Sequence, residues 1–112
     1  MGGSGGDDED DALTVTPERA AAASILHVHG ELDVATAPRL EEAVAAVADG
    51  PADLVLDMSG LTFVDSSGLT ALVRVHKAVS ARSGSVTVRG ARPFVTEVLK
   101  MVSLDRFFTI EP

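Results

Sequence analysis

The sequence predicts a single compact α/β domain, a mixed β-sheet with helices packed against it. Short runs with a two-residue apolar period alternate with longer stretches at helical period from Leu13 onward. The chain has 112 residues, enough for one core of ordinary size. It is 46% hydrophobic with only four aromatic residues, all Phe, so that core must be built from Val, Leu, Ile and Ala.

Residues 1–12 stand apart. A Gly-rich start followed by Asp7-Asp8-Glu9-Asp10-Asp11 offers too little apolar surface to offset ordering, and is expected to be a disordered tail ahead of a domain at 13–112. Leu13–Thr16 and Ser24–His29 read as paired strands, with 17–23 as the hairpin loop. Ala37–Val47 reads as a helix with Thr36 as a possible cap, Pro38 in its first turn and Leu40, Val44 and Val47 on one face; Gly50-Pro51 ends it. The acid-bounded run Asp53–Asp57 suits a central strand covered on both faces.

From Ser67 to about Arg82, Leu69, Leu72, Val73, His76 and Val79 share a face, an amphipathic helix ending at Gly84. Ser85–Arg89 alternates as a strand. Pro93–Val102 carries Phe94, Val95, Val98, Leu99 and Val102 at helical spacing, and Phe107–Ile110 closes the chain as a last strand. Ser103 stands where Gly would more comfortably close that last helix.

Charge and composition exclude several function classes. The formal charge is −8, and without the five consecutive acids there remain 12 acids against 9 bases, unsuited to a phosphate backbone. No nucleic-acid partner is expected. There is no cysteine for disulfide or thiolate metal sites, and no apolar run near the ~18 residues of a membrane span. No membrane partner and a cytoplasmic location are the expectations.

The most informative segment is Leu61-Thr62-Phe63-Val64-Asp65-Ser66-Ser67-Gly68-Leu69, polar residues placed where a strand gives way to a helix. Asp and Ser there accept bonds from the first unpaired N–H groups. The same N–H groups and the helix dipole make the position suitable for a covalent phosphate, which points to a phosphoserine switch beyond simple capping.

Other chemistry is less well supplied. His27 and His29, two apart on a strand, share a face, but no third ligand is evident, so neither a metal nor a cofactor is expected. His76 is placed to pack on the apolar helix face. Ser66, Asp65 and the histidines supply hydrolase residue types without the G-x-S-x-G elbow. Asp57, read as a strand end, invites comparison with a phosphoaccepting aspartate, but the acidic pair and the lysine of such a site are missing.

The order Gly30-Glu31-Leu32-Asp33, then Leu61 through Leu69 with Asp65-Ser66-Ser67-Gly68, then Leu104-Asp105 and Phe108 resembles the STAS domain of bacterial anti-sigma-factor antagonists, over about residues 13–110. The resemblance implies a STAS-like fold and a regulator rather than an enzyme. It implies that the unphosphorylated chain binds an anti-sigma serine kinase, which carries the ATP, and frees a sigma factor. That kinase then phosphorylates Ser66, with Ser67 as second choice, and a PP2C-type phosphatase resets it. Asp33, Asp65, Ser67 and Gly68 are the expected partner-binding residues. A STAS scaffold or sensor module without a kinase partner, in a signalling complex or beside a transporter, stays open.

Overall fold

The computed structural model describes residues 12–112; the acidic tail expected at 1–12 lies, apart from Ala12, outside the described residues. The elements are β1 (Leu13–Arg19), β2 (Ser24–Leu32), α1 (Ala37–Ala46), β3 (Leu54–Val64), α2 (Ser66–Ala81), β4 (Val86–Arg89), α3 (Pro93–Met101), a 3-10 turn (Leu104–Arg106) and β5 (Thr109–Glu111). The sheet runs β1-β2-β3-β4-β5, with β1 antiparallel to β2 and the other pairs parallel.

That order explains the layering. Crossovers between parallel strands are right-handed almost without exception, so a sheet that always steps in one direction collects its helices on one face. Burial follows suit: Leu26, Val28, Leu54, Leu56, Met58, Val86 and Val88 join the same core cluster as Leu40, Val44, Leu72, Val75, Val79, Val95 and Leu99. The opposite face carries Ile25, His27, His29, Val55, Asp57, Thr87 and Arg89. The expectation that the strand at 53–57 is covered on both faces is corrected here. Val55 is buried yet lies outside the core cluster that the helices cover.

Three elements are longer than their sequence pattern suggested. β2 runs past His29 to Leu32. β1 continues through Pro17, Glu18 and Arg19, pairing with Leu26, Ile25 and Ser24, so the hairpin loop shrinks to Ala20–Ala23. β3 does not stop at Asp57 but runs to Val64, and two bulges hide its period. His27 faces Asp57 while His29 faces Gly60, and Gly30 faces Leu61 while Glu31 faces Phe63, so β3 holds an extra residue at each place. The buried positions therefore step from Met58 to Leu61, three residues instead of two, and the strand bends toward its C-terminal end.

The last helix is narrower inside than its spacing implied. Val95 and Leu99 are buried, but Phe94 and Val102 are exposed, since α3 lies at the rim. The closing strand is Thr109–Glu111; Phe108 packs into the core and Phe107 lies half in solvent. Ser103 does adopt the left-handed conformation, with φ 63°.

Candidate functional site

The register Leu32↔Val64 ends two parallel neighbours side by side, so the residues that follow, Asp33 and Asp65, start the two turns that lead into α1 and α2. Asp65 N–H donates to Leu32 O at 3.2 Å, tying the turns together. Asp65 is extended, with φ −115° and ψ −171°, and its Oδ1 accepts Gly68 N–H at 3.0 Å. It is the N-cap of α2, and Ser66 is the first helical residue rather than Ser67. Leu69 N–H reaches Asp65 O at 2.9 Å and Thr70 Oγ1 donates to Ser66 O at 3.0 Å, closing the first turn.

Gly68 is buried where α2 comes down on the strand ends. A Cβ there would stand 2.6 Å from Leu32 O and 2.8 Å from Val64 Cγ2, so only glycine lets the helix start this close to the sheet. Ser66 is exposed and Ser67 half-buried, both with their backbone at the positive end of a 16-residue helix.

Asp33 is spent inside its own turn. Its Oδ1 accepts Ala35 N–H at 3.0 Å and Thr36 N–H at 3.1 Å, and its own N–H donates to Thr36 Oγ1 at 2.9 Å. Thr36, expected as a side-chain cap, makes no such bond; its hydroxyl donates back to Glu31 O at 2.7 Å. The buried Thr36 and the half-buried Asp33 thus hold a rigid corner, and that corner pushes Val34 out to 73% exposure.

Two shallow grooves flank the first turns of α2. One, of about 230 Å³, lies toward α1 and is lined by Val34, Pro38, Glu41, Ser67, Thr70 and Arg74, with Arg74 Nη1 and Glu41 Oε2 3.5 Å apart across it. The other, about 220 Å³, lies toward the end of α3 and is lined by Ser66, Leu69, Thr70, Val73, Val102 and Leu104. Met101, next to this groove in the chain, is 81% exposed. The structure therefore brings Asp33, Asp65, Ser66, Ser67 and Gly68 to one end of the molecule. It adds Val34, Met101 and Val102, which the pattern did not single out. Val34 had a signal, an apolar residue isolated between a strand-ending Asp and a helix; Val102 was masked by fitting the helical period.

The remaining candidates lie elsewhere. His27 and His29 share the bare face of the sheet, His27 between two carboxylates and His29 with its ring over Gly60. No cluster of metal-ligating side chains occurs among the described residues. His76 packs against Phe107 with ring centroids 4.7 Å apart and meets Phe108 edge-on at 6.0 Å. Asp57 sits inside β3, not at a strand end, and its carboxylate is engaged by His27 and Ser59, which removes its likeness to a phosphoaccepting aspartate. No helix among the described residues is long and apolar enough to cross a membrane.

The site thus sits on a one-directional mixed sheet with helices on one face and a serine exposed at the start of its second helix. The STAS domain model matches residues 14–112, and the chain belongs to that family. It is 36% identical over 104 residues to the anti-sigma-F factor antagonist RsfB of Mycobacterium tuberculosis, spanning 89% of this chain and 82% of that one. With the anti-sigma-B factor antagonist of Staphylococcus aureus it shares 30% identity over 69% of this chain and 72% of the other. Its structure resembles an anti-sigma factor antagonist from Mycobacterium paratuberculosis with a TM-score of 0.76 and 34% identity, covering 91% of this chain and 87% of that one.

Proposed function

We propose that this chain is an anti-sigma-factor antagonist. In its unphosphorylated form it binds an anti-sigma serine kinase through the surface around the start of α2, and the sigma factor is freed. The kinase then transfers the γ-phosphoryl of its ATP to Ser66 Oγ, and a PP2C-type phosphatase removes it. Catalysis belongs to the partners; this chain supplies the acceptor and the docking surface.

The observation that carries the reading is the exposure of Ser66 at the first position of α2, between a capping Asp65 and an apolar groove. The names of the relatives point the same way. Ser66 is the better acceptor of the two serines because Ser67 is half-buried and turned to the groove with Arg74. Asp33 contributes through the corner that presents Val34, and Gly68 by letting α2 start where it does.

A phosphate adds about −1.5 to −2 charges at pH 7, and a helix N-terminus tolerates that charge, so the modification changes the interface and leaves the fold. A unit charge about 5 Å from a carboxylate costs roughly 3 kcal/mol at an effective dielectric near 20. About 2.7 kcal/mol is already a hundredfold in Kd, enough to separate a complex.

The test is to incubate the purified chain with a candidate anti-sigma serine kinase and ATP, and to locate the phosphate by mass for wild type, Ser66→Ala and Ser67→Ala. One phosphate, lost only in Ser66→Ala, is the expected result. A folded chain that binds the kinase but takes phosphate on Ser67 alone overturns the acceptor assignment. A folded chain that no anti-sigma kinase binds or modifies overturns the function.

A further inference from the structure

A row of charge crosses the bare face of the sheet from edge to edge. His27, Asp57, Arg89 and Glu111 are in direct register on β2, β3, β4 and β5, and Glu18 stands on β1 two residues beyond Thr16, the residue opposite His27. His27 Nε2 lies 2.7 Å from Glu18 Oε1, and its Nδ1 lies 3.2 Å from Asp57 Oδ2. Asp57 is fixed in turn, its Oδ1 accepting Ser59 N–H at 3.0 Å and Ser59 Oγ–H at 2.8 Å.

A neutral imidazole has one N–H and one lone pair, whereas a carboxylate only accepts. With a carboxylate oxygen on each ring nitrogen, both contacts are hydrogen bonds only when the ring is an imidazolium; losing either proton sets a lone pair against a carboxylate. We propose that His27 is a proton-operated clasp that fastens the edge strand β1 to the central strand β3 and opens as the pH rises.

The surroundings support the clasp. The hydrogen bond His27 donates to Glu18 raises its pKa above the ordinary value; burial works against that rise, and Asp57 adds to it. The Asp57 carboxyl is held below its usual range, first by the Ser59 N–H, then by the Ser59 hydroxyl and by His27. The other charged or titratable groups on this face among the described residues include His29 and Glu31, two and four residues along β2, Arg89, across the β3–β4 pair from Asp57, and Glu111, which lies 3.4 Å from Arg89 Nε. No helix of the described residues packs over them.

The signs give a window. A raised histidine pKa stabilises the folded state fully below the unfolded value, and that contribution is lost as the pH climbs through the folded pKa. A depressed Asp pKa acts oppositely, its contribution vanishing as the pH falls through the folded value. The clasp is therefore closed between the Asp57 and His27 midpoints and open above the latter. β1 reads this directly, because as an edge strand it has a neighbour on one side only among the described residues.

The experiment is an NMR titration of the His27 ring in wild type, Glu18→Gln and Asp57→Asn. It is run together with hydrogen exchange of the β1 amides, corrected for intrinsic pH dependence. The expected result is a wild-type midpoint above the ordinary ~6.5 and lower in each variant. Protection of β1 falls roughly two- to fivefold through that midpoint, as an exposed charge pair allows. The α2 amides stay unchanged, and the fall is missing in Glu18→Gln, a substitution of an exposed side chain that leaves the fold intact. A His27 midpoint at or below the ordinary value, or unmoved by both variants, overturns the proposal. So does a His27 that titrates as described while β1 protection stays level.

Discussion

At the scale of single residues, Asp65 and Asp33 do similar work by different routes, and Asp65 was the plainer of the two in the sequence. Asp65 has an Asp-Ser-Ser-Gly context that names it as a cap, and the 3.0 Å bond to Gly68 N–H is that cap. Asp33 precedes a helix whose apparent cap was Thr36, yet its carboxylate gathers the N–H groups while Thr36 bonds backward to Glu31. Nothing in a one-dimensional pattern distinguishes a threonine that caps from one that braces the strand behind it. Replacing Asp65 with Ala removes the acceptor for one orphan N–H and should destabilise the protein by about 1 kcal/mol. Urea denaturation checks this, and Asp65→Asn, which keeps an acceptor oxygen, should recover most of the loss. If the two variants are equally destabilised, the cap is not what Asp65 contributes.

At the scale of elements, the helices were readable because each carries an apolar stripe and ends at a recognisable stop. β3 was not, because each bulge shifts the two-residue period by one, so Met58 and Leu61 look unrelated although both face the core. The polar residues Asp57 and Ser59 deepened the confusion; they read as a strand end but form the bulge's own hydrogen bonds. Ser103 was legible as a misfit, and the structure bears that out with a left-handed backbone that a Cβ makes costly. Ser103→Gly relieves that crowding at some cost in unfolded-chain entropy and should stabilise by roughly 0.5–1 kcal/mol. Scanning calorimetry should show a rise of a few degrees in Tm, since about 1 kcal/mol moves a domain of this size by about 4–8 °C. A lowered Tm would mean that the Ser103 side chain holds something the backbone conformation does not reveal.

At the scale of the molecule, strand order was what the sequence could not state. Alternating strand and helix signals fit helices on both faces of the sheet as well as on one, and the decision falls to the direction of each crossover. The chosen order leaves the helices to one side and sets the ends of β2 and β3 together under the start of α2, so Ser66 sits on a rim held by the whole sheet. The exposed apolar residues around it escaped notice because apolar spacing records a helix face and not which parts of that face find cover. A rim of this rigidity predicts that phosphorylation of Ser66 changes affinity without changing fold. The phosphorylated chain should keep the far-UV circular dichroism of the unmodified chain, with amide shifts confined to the turns after β2 and β3 and the first turns of α2. Spreading of those shifts into β4 and β5 would contradict a switch confined to the interface.

The two edges of the sheet differ in length but share a defect as templates. β5 is three residues long, and β1, although seven, contains Pro17, tolerated in a strand where the missing donor faces away from the partner. Charged or hydroxylated side chains fill most of what is left of β1. Among the described residues, neither border offers a long, regular row of donors and acceptors to a strand from another molecule, which blunts edge-to-edge pairing between copies.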